Sequence, residues 1–333
     1  MLQYLIILLD DTSTSYCHYE NNKTKRQLIS IEDLKAGIYY AMKENLMIQF
    51  VYPDYELPPE YKEVINTIDH SVIVSSLCED KELKDKADVV VIHDWSAIEW
   101  MEFDKNISYV FRTFKSDLFD RYHFLKHILE NVRRLNIVIM DIESFTNDNF
   151  EKYKIILSSL SKVIEKLFED GKSPQLNLLT DRMMLDKMNN CNAGWENITL
   201  APDGRFYVCP AFYYAQQQDG KEKSISEICE KGFSIGSVKM GLQIKNPQLY
   251  RLDHAKLCRN CDAYQCKRCI WLNRKTTYEV NTPSHEQCVE AHLERNASRD
   301  LMNNIRKHRS FLPEREEIKE ILYIDPFEII EQW

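Results

Sequence analysis

Apolar residues in the first half of the chain come in short, nearly unbroken runs. The runs are Tyr4–Leu9, Met47–Tyr52, Ser71–Ser75, Ala87–Ile92, Ile107–Phe111, Leu135–Met140 and Gln175–Leu179. Runs of this kind mark strands buried on both faces of a parallel sheet. Between them apolar positions recur with a helical period at Ile31–Asn45, Tyr61–Ile68, Lys115–Arg134 and Asn149–Glu169. The first of these opens with Ser30-Ile-Glu-Asp, a serine followed by an acidic first turn, which is a helix start signal. The alternation predicts an α/β fold over residues 1–185, with too few βα units for a closed eight-stranded barrel but enough for a partial (β/α)6 one. Such sheets carry function at the carboxyl ends of their strands. Asp10, Asp54, His93, Asp94, Arg112, Asp141 and Asp181 stand there, although about half are expected only to cap helices or make turns.

Beyond residue 185 the texture changes. Trp195–Leu200 and Arg205–Val208, joined through Pro202-Asp203-Gly204, predict a β-hairpin whose Asp-Gly step supplies positive φ angles. A short helix is expected at Ser224–Glu230 and a long one from Cys288 to about His308. Residues 186–310 read as a second, cysteine-rich domain. Residues 311–333 form a tail carrying Ile318, Ile321, Leu322, Ile324, Phe327, Ile329, Ile330 and Trp333, which is too apolar to stay solvated and should dock on its own chain or a partner.

The net charge of −9, from 43 basic and 52 acidic residues, argues against a nucleic-acid partner, which needs a basic face. The apolar start lacks a basic region and is stopped by Asp10 and Asp11, unlike a secretory signal. No apolar stretch approaches a membrane span. A cytoplasmic location is therefore expected, with cysteines reduced and available to metals before disulfides.

Seven of the 10 cysteines form an ordered array between residues 191 and 288. Cys191 and Cys209 flank the hairpin. Cys258, Cys261, Cys266 and Cys269 follow at C-x2-C-x4-C-x2-C spacing, and Cys288 closes the set. A two-residue turn can aim both sulfurs of a C-x2-C pair at one centre, so the array offers soft ligands for two multi-iron clusters. Structural zinc, with His285 nearby, is the alternative reading. Cys229 lies in a helical pattern and reads as a small buried apolar residue.

The order C-x12-G-x4-C, then the four-cysteine block, then a final cysteine, resembles the SPASM domain of radical SAM peptide-modifying enzymes. Leu200-Ala-Pro-Asp-Gly204-Arg-Phe-Tyr-Val-Cys209-Pro210 and Phe233-Ser-Ile-Gly236-Ser237-Val238 resemble family steps. The last two gaps of the central block are each one residue shorter than the family's. The resemblance implies a radical SAM-type partial barrel followed by an auxiliary domain holding two [4Fe–4S] clusters. One would lie on Cys191, Cys209 and Cys269, with an open fourth position. The other would lie on Cys258, Cys261, Cys266 and Cys288.

A radical SAM site also needs C-x3-C-x2-C after the first strand, so that three thiolates leave one iron open. Here the loop reads Asp10-Asp11-Thr12-Ser13-Thr14-Ser15-Tyr16-Cys17-His18, with Asp10 and Thr14 in the places of two cysteines. The Gly-Gly-Glu step expected after the second strand is replaced by Val51-Tyr52-Pro53-Asp54-Tyr55-Glu56, and Pro53 lacks an amide donor. SAM is therefore not expected as a cofactor. The opening segment and the array together resemble the CXXX repeat peptide maturase family. That resemblance implies a subunit of a ribosomal-peptide maturation system that does not cleave SAM and works with an active radical SAM maturase and a cysteine-repeat precursor peptide. The rival readings are a zinc-binding structural or interaction protein, and an enzyme using Cys17 with His18 or His93 as base.

Overall fold

The computed structural model describes residues 2–21, 23–215 and 233–320. Along the chain the elements begin β1 (Tyr4–Leu8), α1 (Ile31–Lys43), β2 (Met47–Val51), α2 (Pro59–Ile65), β3 (His70–Ser75), α3 (Lys81–Asp85) and β4 (Val89–Ile92). Next come α4 (Trp95–Ile98), β5 (Ser108–Thr113), α5 (Lys115–Arg121), α6 (Leu125–Asn131), β6 (Arg134–Ile139), α7 (Asn147–Glu169), β7 (Gln175–Leu176) and α8 (Asp181–Met184). The rest are β8 (Asn197–Leu200), β9 (Phe206–Tyr207), α9 (Pro210–Ala215), β10 (Gly236–Ser237), β11 (Gly241–Leu242), α10 (Ile270–Thr277) and α11 (His285–His308). The architecture is mixed α/β, built on a large, mostly parallel sheet of nine strands. No helix among the described residues is long and apolar enough to cross a membrane.

The chain divides into two compact units, residues 1–91 with 192–254, and residues 92–191 with 255–333. Each takes one stretch from the βα region and one from the cysteine-rich region.

In the first unit β1 is central. It pairs in parallel with β2 on one side and β8 on the other, and β3 and β4 continue the parallel run beyond β2. Leu5, Ile7 and Leu8 of β1 are fully buried, as a strand flanked on both edges and covered on both faces requires. Ser30 caps α1 by accepting a hydrogen bond from the Asp33 N–H at 3.0 Å. Gly37 lets this helix close on β8, because a Cβ there would stand 2.3 Å from Leu200 Cδ2. β8 and β9 form the antiparallel hairpin, and Gly204 turns it with φ +72°. β9 is shorter than expected, and β10–β11 adds a second small ribbon.

In the second unit β5, β6 and β7 pair in parallel. The single helix expected over Lys115–Arg134 is two helices joined by a 3₁₀ turn at Tyr122–Phe124. It ends early because Arg134 belongs to β6, where its guanidinium holds Gln175 Oε1 at 2.9 Å and Asp181 Oδ2 at 2.8 Å. β7 is also short, since Leu178 and Leu179 are buried in the turn after it. α7 packs on α11. Phe150, Tyr153, Leu157, Leu160 and Ile164 form its buried stripe, and Leu293, Leu301, Met302 and Ile305 are buried on α11. α11 starts at His285 rather than Cys288, because Ser284 caps it by accepting from the Gln287 N–H at 3.2 Å. Ile318 of the tail is buried. The remainder of the expected apolar tail, the Ser224–Glu230 helix and Cys229 lie outside the described residues.

Candidate metal centre

The second unit gathers six of the seven array cysteines. Three successive turns carry the central block, with the N–H groups of Cys258, Cys261 and Cys266 donating to the carbonyls of Ala255, Cys258 and Ala263, each at 3.0 Å. Cys266 lies within electrostatic range of Cys258 and Cys288, and Cys258 within range of Cys261. These four therefore form one group of neighbours, drawn from the block and from the first turn of α11. Cys191 and Cys269 are neighbours of each other, and the Cys191 N–H donates to Lys267 O at 2.9 Å. Cys209 belongs to the first unit, where its carbonyl accepts from the Phe212 N–H at 3.1 Å as α9 begins.

The segment between the two C-x2-C pairs is clamped to α11. Arg295, 1% exposed, holds Asp262 with Nε 3.0 Å from each carboxylate oxygen and Nη2 2.6 Å from Oδ2. Arg182 stacks over Tyr264 at 4.2 Å from the ring centroid. Gln265 Nε2 donates to Ala291 O at 2.6 Å. On the same helix, buried His292 brings Nε2 to 3.5 Å from Cys261 Sγ. Glu294, further along α11, accepts from Tyr153 Oη at 2.8 Å.

Desolvation pushes the Cys258 thiol up to about 11 and the Cys269 thiol up to about 12, and it raises Cys261 and Cys266 as well. Left to themselves these sulfurs stay protonated; a bound metal would turn them into thiolates. Arg268 lies among them, 1% exposed, with Nε donating to Asn190 Oδ1 at 2.8 Å and its own N–H pointing to Cys266 Sγ at 3.4 Å. Desolvation is the largest effect on this guanidinium, and the groups that offset it are Cys258, Cys191, Cys266 and Cys269, in that order. A guanidinium does not deprotonate in a protein. Its permanent charge is balanced in this setting when the surrounding sulfurs are anionic. The donor set thus has the soft, anionic chemistry that a thiolate-ligated cluster calls for.

In the first unit the loop after β1 is filled by the chain's own side chains. Asp10 is fully buried, and its Oδ1 accepts from the Thr12 N–H at 2.7 Å and from Thr12 Oγ1 at 2.5 Å. Ser13 Oγ donates to Val51 O at 2.8 Å. The Thr14 N–H donates to Tyr52 O at 3.1 Å. Lys23 Nζ stands 2.6 Å from Asp11 Oδ2 and 2.7 Å from Tyr213 Oη. Tyr19 stacks on Tyr214 with ring centroids 5.4 Å apart. Cys17, on the same loop, is half-buried.

Of the other strand-end residues, Asp94 caps α4 by accepting from the Ser96 N–H at 2.9 Å. Asp141 accepts from the Lys115 N–H at 2.8 Å. His93 Nδ1 lies 3.0 Å from Arg112 Nη1. Asp94 thus performs the capping duty expected of such positions, whereas His93 with Arg112 and Asp181 with Arg134 make side-chain pairs instead. Sequence reasoning missed Arg268, Arg295, His292 and Tyr213. Only Arg268 carried a signal, a basic residue inside a C-x2-C pair.

No family model and no curated protein matches the chain. Among solved structures, a hexahistidine-tagged form of anSMEcpe with bound AdoMet aligns with a TM-score of 0.57 at 12% identity, over 92% of this chain and 100% of that one. Native anSMEcpe with bound AdoMet and Cp18Cys peptide aligns at 0.56 and 12% identity over the same shares. Streptococcus suis SuiB bound to precursor peptide SuiA aligns at 0.41 and 10% identity, over 68% of this chain and 64% of that one. At 12% identity the likeness to anSMEcpe is one of fold alone, a mixed α/β architecture.

Proposed function

We propose that the chain is a subunit of a peptide-maturation system that carries iron–sulfur clusters and leaves SAM cleavage to a partner. The observation that carries this reading is the gathering of Cys258, Cys261, Cys266 and Cys288 as neighbours beside a buried, permanent cation. These four residues would hold one [4Fe–4S] cluster. Cys191 and Cys269 would take part in holding another. When bound, such clusters supply one-electron transfer, and an open iron could take a substrate thiol. The chain's own residues do the rest. The Asp262–Arg295 clamp holds the block on α11, where Cys258 is buried, Cys261, Cys266, Cys269 and Cys288 are half-buried, and Cys191 is exposed.

The loop after β1 supports the second half of the proposal. The places a SAM cluster would need hold Asp10 and Thr14, packed and hydrogen-bonded to their own chain. The fold neighbour solved with AdoMet and a peptide supports a peptide as the partner molecule. His292 beside Cys261 favours one rival, a Cys/His zinc site in an interaction protein.

Anaerobic purification separates these readings. Two clusters require about eight irons per chain with matching acid-labile sulfide. Zinc without sulfide would replace the proposal with its rival. With dithionite, the isolated chain should form no 5′-deoxyadenosine from SAM beyond a protein-free control. It should co-elute with an active radical SAM maturase in the presence of precursor peptide, and consistent separate elution would overturn the partner claim.

A further inference from the structure

Resting on the cluster reading above, we propose that Arg268 is a counter-cation shared by the two groups of cysteines in the second unit, setting the reduction potential of what they bind. Its place in the chain creates the arrangement. Arg268 lies between Cys266 and Cys269, so one short turn joins a residue of the four-cysteine group to the Cys191–Cys269 pair. The residue adopts a left-handed conformation with φ +44°, uncommon for a side chain of this size. The side chain ranks among the largest fully buried ones of the protein. Asn190, next to Cys191, anchors Nε at 2.8 Å. The N–H of Arg268 points to Cys266 Sγ at 3.4 Å, the next residue is Cys269, and the anchor Asn190 is bonded in sequence to Cys191, so residues of both cysteine groups adjoin it.

The physical consequence follows from charge. A cluster on cysteine thiolates is anionic, and one-electron reduction adds a further negative charge without making or breaking a bond. A fixed cation in a dry site stabilises the reduced form more than the oxidised form and raises the potential. A guanidinium suits the task because it keeps its charge when buried and can serve several sulfurs from one plane. Shared between two groups, it also links them: a charge placed on one weakens its support for the other.

The test uses the full chain, purified anaerobically and titrated with dithionite under EPR. Arg268→Met should load iron and sulfide as the wild type does, yet its cluster signals should be harder to reduce. At the wild-type midpoint the reduced-to-oxidised ratio is expected to fall about tenfold, which for one electron is a shift of about 59 mV. Arg268→Lys, which keeps the charge, should recover most of that shift. Unchanged midpoints in a fully loaded Arg268→Met protein would overturn the inference and leave the cluster reading standing. If Arg268→Met fails to load, loading by Arg268→Lys supports a charge requirement. Failure of both shows that shape rather than charge matters and overturns it. A wild type that takes up no sulfide removes the cluster reading, and this inference with it.

Discussion

Tyr213, the fourth residue of α9, donates its hydroxyl hydrogen to Asp11 in the loop after β1, 202 positions away. Lys23 closes the triangle on both. A carboxylate, an ammonium and a phenol thus satisfy one another inside the first unit, in the loop after β1.

Removing the phenol hydrogen-bond donor tests that triad. Tyr213→Phe leaves a buried oxygen of Asp11 short of a donor and should cost about 1–3 kcal/mol in urea unfolding.

The Asp262–Arg295 clamp should matter more. Arg295 is buried, so Asp262→Asn strands its charge and is expected to cost about 3 kcal/mol. Replacing both partners with apolar residues should cost less than the single change. Thermal unfolding of the metal-free chain checks the order, and iron uptake should fall in parallel because the block loses its anchor on α11.

Glu294 gives a pH dependence. Desolvation raises its carboxyl from 4.5 to about 7, against the hydrogen bonds it accepts. A folded state that holds the proton more tightly than the unfolded chain gains stability at low pH and loses it as pH rises. Glu290, the neighbour of Glu294, is raised by the same burial, so the two titrate together, and the stability of the metal-free protein should slope downward as pH rises above about 4.5. Glu294→Gln should flatten that slope, as read from urea midpoints across the range.

Gly204→Ala should loosen the hairpin. Its φ of +72° costs an alanine about 1–2 kcal/mol, and the new Cβ would stand 2.8 Å from Asp33 Oδ2. A loss of roughly that size in unfolding free energy, with α1 reoriented at its first turn, is the expected outcome. An unchanged stability would show that the turn relaxes freely.

Much of this was written locally. The apolar runs located the strands, Ser30 announced α1, and Asp203-Gly204 announced the hairpin, because burial pattern, capping and φ preference are properties of a few adjacent residues. The two C-x2-C pairs were legible for the same reason: a short turn controls where both sulfurs can point. The break in the expected Lys115–Arg134 helix was not, since Arg134 is claimed by partners on β7 and α8 that no local pattern reveals. Nor could spacing alone bring Cys288 to Cys266, or put His292 against Cys261, because α11 reaches the block only once it has packed along α7. Arg268 makes the division plainest. Sequence determined that a basic residue stands between two cysteines, and tertiary burial decided that it is a cation among sulfurs rather than a charge in water, since the dielectric around a group is set by everything that folds over it.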